Sequence, residues 1–220
     1  MAEKFDVVVI GAGVIGCSVA YYLAREGIKV ALLERESFGS GSSAHATGFI
    51  SLLGTEFIPG PSFQFGLESY REFPSLVAEL EDATGMDLLY QRRPSLRLAL
   101  EESEEQLIKD LMTWQQEHVA MRWISSHDVH ELEPRLTPSL IGAVYEDESA
   151  QLDSYRLNLA LAAGAEKKGT QTINRNVTGL LSEKNRITGV QTEQGDISCG
   201  AVVVDRKSTR LNPVTCLSRM

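Results

Sequence analysis

Gly11, Gly13 and Gly16 form a G-x-G-x-x-G pattern between a β-branched run, Val7 to Ile10, and a stretch that turns helical at Val14. At this spacing each glycine has its own task. The first permits a tight turn, the second lets a pyrophosphate approach the backbone, and the third lets helix and strand pack closely. The helix then directs free N–H groups and partial positive charge at whatever lies over the loop, which suits an anion. Glu34 stands 18 residues beyond Gly16, at the end of the next apolar run, Ile28 to Leu33. An acidic side chain there can accept hydrogen bonds from a ribose diol, and it disfavours a 2′-phosphorylated nucleotide because two anions would meet. A glycine triplet alone is weak evidence. Strand, glycines, helix, strand and terminal acid in register are a dinucleotide-binding βαβ unit, though the unit does not by itself separate FAD from NAD.

The elements that must position these residues can be followed along the chain. Val14, Ala20, Leu23 and Ala24 are apolar positions of the first helix, and Gly27 is its stop. A small-residue loop, Gly39-Ser-Gly-Ser-Ser-Ala-His-Ala-Thr-Gly48, follows the second strand and offers amides and hydroxyls to a large cofactor. Residues 50–150 do not repeat the βαβ pattern. Helical spacing covers Phe65 to Ala83, with Pro74 expected to break or restart it. Strands are expected at Leu88–Tyr90, Leu96–Leu100, Met121–Ile124 and Leu140–Tyr145, with helices over Glu101–His118 and Ser126–Leu132. Asp153 is placed to cap a helix reaching about Lys168, with Leu157, Leu161 and Ala165 on one face. Strands at Thr172–Val177, Ile187–Thr192 and Ile197–Val204 complete the reading, with a turn at Gly195-Asp196.

Composition narrows the function classes. Twenty-one basic against 30 acidic residues give a net charge of −9, which opposes a nucleic-acid surface. The three cysteines, at 17, 199 and 216, form no CxxC pair, so neither a zinc site nor a disulfide framework is expected. No apolar run is long enough for a membrane span and no signal-peptide pattern stands at the start, so a cytoplasmic protein is expected. His127 and His130 could share a helix face, and His118 lies nearby in sequence. No third ligand stands at matching spacing, so no metal is expected. Arg92, Arg93 and Arg97 could anchor a substrate carboxylate, but surface charge is the commoner role for such arginines. No catalytic acid–base pair is identifiable.

The glycine motif, the loop at 39–48 and the segment Asn176-Val-Thr-Gly-Leu180 resemble the D-amino-acid-oxidase-like flavoenzymes, which include glycine oxidase, sarcosine oxidase and dimethylglycine dehydrogenase. The resemblance runs from about Phe5 to Val204 and is sharpest over residues 6–49 and 140–204. It implies an α/β fold: a Rossmann-like FAD-binding domain, discontinuous over 1–49 and 151–204, with residues 50–150 forming part of an α+β substrate domain. It also implies FAD as cofactor. Val14 and Ile15 would lie along the pyrophosphate, with Glu34 and Arg35 flanking the adenosine ribose. Ser42 and Ser43 would hold phosphate and ribitol, Thr47, Gly48 and Phe49 would approach the flavin, and the main chain of Val177 would contact adenine. His45, in Ser43-Ala-His-Ala-Thr-Gly48, matches a loop that in some members carries the flavin covalently and in others only lines the site.

The implied activity is oxidation of the C–N bond of a small amino acid or secondary amine. Two alternatives are a hydroxy-acid or glycerol-phosphate dehydrogenase on the same scaffold, and a non-catalytic nucleotide-binding fragment. After Val204 the family leads a buried strand into a glycine and tryptophan turn, whereas this chain continues Asp205-Arg-Lys-Ser-Thr-Arg-Leu-Asn212. That peptide matches one translated frame of a common sequencing-library adapter. Residues 205–220 are therefore expected to be a non-native tail, and the fold to be incomplete at its C-terminal side.

Overall fold

A computed structural model describes residues 4–52 and 58–205. In chain order the first elements are β1 (Lys4–Ile10), α1 (Val14–Arg25), β2 (Val30–Glu34), a 3-10 turn (Ser42–His45), β3 (Phe49–Ile50) and α2 (Pro61–Thr84). Then come β4 (Gln91–Arg92), β5 (Ser95–Ala99), α3 (Glu102–Gln115), β6 (Met121–Ser125), α4 (Ser126–Leu132), β7 (Gly142–Glu146) and β8 (Ala150–Gln151). The last are α5 (Ser154–Lys167), β9 (Gln171–Asn174), β10 (Val177–Glu183), β11 (Arg186–Thr192) and β12 (Ile197–Val204).

The described residues form two compact units, one of residues 4–46, 79–88 and 153–205, the other of 47–52, 58–78 and 89–152. The first holds a six-stranded sheet ordered β10-β11-β12-β1-β2-β9. From β12 to β9 the strands are parallel, and β10 and β11 continue the sheet antiparallel. Parallel strands covered on both faces read as continuous apolar runs, and Val8, Val9, Val30, Ala31, Leu32 and Leu33 are all fully buried. On one face Phe5, Val8, Ile10, Ala31, Leu33, Val190 and Ile197 form a single core. α1 and α5 pack closely: a Cβ at Gly164 would meet the Tyr21 ring at 2.9 Å. Strand order reverses direction at β1, with β2 on one side and β12 on the other. In open α/β sheets this is where ligands bind, beyond the carboxyl ends of the strands.

The second unit carries two small antiparallel sheets, β3-β8-β4 and β5-β7-β6. Phe63 and Leu67 of α2 join Leu52 and Val119 in one core, and Ala99, Ile108 and Val144 form another.

Three local expectations are corrected. α2 runs through Pro74 without a break. Proline inside a helix costs ~3 kcal/mol, and burial of Phe63, Leu67, Val77 and Leu80 along this one helix gives back about 1.5–3 kcal/mol each. No strand forms at 88–90, because Leu89 adopts φ 54, a left-handed conformation that interrupts extended backbone. The stretch 172–177 is two strands: Arg175 N–H donates to Glu34 O at the end of the β2 ladder, and Val177 pairs antiparallel with Thr192. Asp153 caps α5 as its position implied, accepting from Arg156 N–H at 2.9 Å. Asp205 belongs to the described fold, its N–H donating to Ile10 O at 2.9 Å. The rest of the expected tail, 206–220, lies outside the described residues.

Candidate nucleotide-binding site

At the carboxyl ends of β1, β2 and β12 the first unit holds a cavity of about 740 Å³, within the range of small-ligand sites. It is lined by residues 10–15, 33–36, 39–43, 46, 175–177 and 204–205. Of the residues singled out in the sequence, Gly11, Gly13, Val14, Ile15, Glu34, Arg35, Ser42, Ser43 and Val177 meet around it. Gly16 stands just behind, where any Cβ would collide with the Gly11 carbonyl oxygen. That contact is the physical demand for the third glycine. Gly11 itself has φ 106, open to glycine and strained for any other residue.

The loop is held from several sides. Ala12 N–H donates to Glu34 Oε2 at 2.9 Å, and Glu36 N–H donates to Glu34 Oε1 at 2.9 Å. Each oxygen thus accepts one backbone donor and retains acceptor capacity for a ribose hydroxyl. On its other side the Ala12 carbonyl accepts from Gly39 N–H and from Asn158 Nδ2, each at 3.0 Å. Ser43 Oγ accepts from Val14 N–H at 2.9 Å, so a hydroxyl stands at the first N–H of α1, free to donate onward to an anion. Asp205 Oδ2 accepts from Gly16 N–H at 2.9 Å. Burial, reinforced by the Asp205 and Glu34 carboxylates, pushes the Cys17 thiol up to about 12, which keeps it protonated and without nucleophilic character.

His45 is exposed on the 3-10 turn and is not among the lining residues. Thr47, Gly48 and Phe49 also stand outside the lining, because they belong to the second unit. There Gly48 O accepts from Leu152 N–H, and Phe49 pairs with Gln151. Arg92 and Arg93 are exposed, and the Arg93 guanidinium donates to Gln91 Oε1. The His130 ring nitrogens face two backbone carbonyls, of Ser126 at 2.6 Å and Thr137 at 3.2 Å, so its place is structural. His127, Asp128 and Glu131 could meet at one ion, but all three are exposed, and Asp128 already accepts from Ser125 Oγ at 2.7 Å.

The loop expected to meet a cofactor also supplies Gly39 and Ser40, and Asn176 precedes Val177 in the lining, whereas Arg175, Asn158 and Asp205 were assigned no part in the site by the sequence. Only Asn158 left a signal: an amide in α5, three residues from Leu161 and seven from Ala165, on the helix face that an apolar side chain would fill.

The FAD-dependent oxidoreductase model of the DAO family matches residues 6–204. The chain belongs to this family. It is 28% identical to the glycine oxidase of Bacillus licheniformis over 191 residues, 87% of this chain and 50% of that protein. It is 31% identical to the mitochondrial dimethylglycine dehydrogenase of Rattus norvegicus over 205 residues, 91% of this chain and 23% of that protein. The crystal structure of glycine oxidase from Bacillus cereus superposes with a TM-score of 0.82 at 36% identity, covering 91% of this chain and 55% of that one. The chain therefore spans about half the length of the glycine oxidases it matches.

FAD is the cofactor of this family, and the DAO-family site here fits the ADP half of it. A backbone cradle without side chains at 11 and 13, a helix amino terminus and an acceptor at the end of β2 line one cavity of suitable size. Of the lining carboxylates Glu34, Glu36 and Asp205, it is Asp205 that sits on the amino terminus of α1, where it opposes a phosphate. Among the described residues no helix is long and apolar enough to cross a membrane.

Proposed function

We propose that this chain is the nucleotide-binding part of an FAD-dependent enzyme that oxidises the C–N bond of a small amino acid or secondary amine. The observation that carries the proposal is the glycine-loop cavity at the strand ends, in a chain whose relatives are named for glycine and dimethylglycine. When bound, FAD supplies the acceptor for a hydride leaving the amine α-carbon. The protein's own part is to bind and orient. Gly13, Val14 and Ile15 hold the diphosphate, Glu34 holds the ribose, and the Val177 main chain lies along the adenine. Thr47, Gly48 and Phe49 lead from the 3-10 turn toward the flavin, and His45 is the residue to test for a covalent link. Two buried free thiols, Cys17 and Cys199, support a reducing, cytoplasmic setting.

A second reading rests on the cavity itself. All of its lining lies in the first unit, which could bind the nucleotide with no part in oxidation. Reconstituting the chain with FAD and offering glycine, sarcosine, dimethylglycine, lactate and glycerol phosphate separates the readings. Loss of oxidised-flavin absorbance with an amine supports the proposal, and loss only with lactate or glycerol phosphate replaces it with hydroxyl oxidation. FAD bound but reduced by none of them leaves the nucleotide-binding module. Flavin that stays with acid-denatured protein assigns the covalent link, and flavin in the supernatant excludes it.

A further inference from the structure

Asn158 lies on α5, fully buried, in a helix whose neighbouring buried positions are Leu157, Ala160, Leu161 and Ala162. Its Nδ2 donates to the Ala12 carbonyl at 3.0 Å, while its Oδ1 is buried with no hydrogen-bond partner. Turning the amide over would set Oδ1 against the Ala12 oxygen, so the orphan is the consequence of keeping the Ala12 bond. An unpaired buried carbonyl is destabilising, and an apolar side chain of the same size would avoid it. Nor does the Ala12 carbonyl depend on Asn158 for satisfaction, because Gly39 N–H already donates to it. Stability alone does not explain an asparagine here.

We infer that Asn158 is a positioning residue for the diphosphate of the cofactor, acting through the Ala12–Gly13 peptide. A trans peptide is planar, and its carbonyl and N–H point in opposite directions. Asn158 of α5, which does not itself line the cavity, clamps Ala12 C=O from behind, while Ala12 and Gly13 both line it. Fixing the carbonyl therefore aims the Gly13 N–H at the face where the phosphates would sit. Glu34 does the same for the preceding peptide by holding the Ala12 N–H. The two bonds pin both ends of the residue between the first two glycines. The loop is thereby set before any ligand arrives, which lowers the ordering cost of binding.

The inference rests on the cofactor reading above, and the test keeps the two apart. Calorimetric titration of ADP and of adenosine into the full chain is compared for wild type, Asn158→Leu and Asn158→Asp, with thermal melts of each without ligand. We expect Asn158→Leu to weaken ADP about tenfold, the worth of one hydrogen bond. Adenosine affinity should stay unchanged, and the ligand-free melting temperature should be equal or higher. Asn158→Asp, which sets a carboxylate oxygen against the Ala12 carbonyl, should weaken ADP further and still spare adenosine, and it carries the test if the leucine variant does not fold. ADP affinity unchanged in both variants overturns the inference alone. So does a parallel fall of ADP, adenosine and melting temperature, which would mark a merely structural amide. A wild-type chain that binds neither ligand overturns the cofactor reading, and this inference with it.

Discussion

Glu34 and Asp205 are both carboxylates at the glycine loop, and their geometry gives them opposite consequences. Glu34 spends one lone pair of each oxygen on a backbone N–H and keeps acceptor capacity, which in the proposed site would take a ribose diol. Asp205 occupies the Gly16 N–H at the amino terminus of α1, where phosphate charge would have to settle. Asp205→Asn keeps an acceptor for that N–H and removes a negative charge facing the diphosphate. ADP should then bind several-fold more tightly, by ~1 kcal/mol for one screened charge pair at a partly exposed site. The gain should shrink at high salt, and calorimetry at two salt concentrations checks both parts. Unchanged or weaker binding contradicts the assignment of this corner to phosphate. The glycines and Glu34 were legible in the sequence because each answers a local steric or charge demand at fixed spacing. Arg175 and Asn158 were not, because they reach the site through contacts separated by up to 146 residues in sequence.

At the scale of elements, the βαβ unit and the return segment followed the sequence because continuous apolar runs and caps are local signals. Asp153 at the start of α5 and Gly27 after α1 mark ends within a residue or two of those observed. The second unit followed it less well, since its sheets are short and Pro74 and Leu89 obey packing and turn geometry. Its main surprise is Glu146, fully buried at the end of β7, in step with Val144 on a strand of apolar residues. The carboxylate accepts from Ser51 Oγ at 2.5 Å and Tyr70 Oη at 3.3 Å, yet burial outweighs these donors and raises its pKa above the usual 4.5. A carboxyl whose folded pKa is raised contributes fully below its unfolded pKa, and that contribution is lost as pH rises through the folded value. Glu146→Gln keeps the shape and removes the titration. Its melting temperature relative to wild type should therefore climb as pH rises above the ordinary glutamate range, from about pH 4 upward. A difference that stays flat with pH means that Glu146 is ionised at no cost in the folded chain.

For the molecule as a whole, family, fold and cofactor converge on one cavity, and every residue lining it lies in a single unit. That unit carries the parallel sheet, both helices that cover it and the ends of the strands at which a dinucleotide is expected. The acidic balance of the chain opposes nucleic acid as a partner and does nothing to attract an anion such as ADP. In the proposed site, affinity for ADP would have to come from the loop, the helix terminus and Glu34, a local property that can be tested directly. The deciding measurement is a crystal structure of the chain grown with ADP. The diphosphate should lie on the amides of Gly13 and Ile15 and on the Ser43 hydroxyl that caps the Val14 N–H, with the ribose diol on Glu34. ADP bound elsewhere, or an empty cavity at saturating nucleotide, would contradict the proposed site.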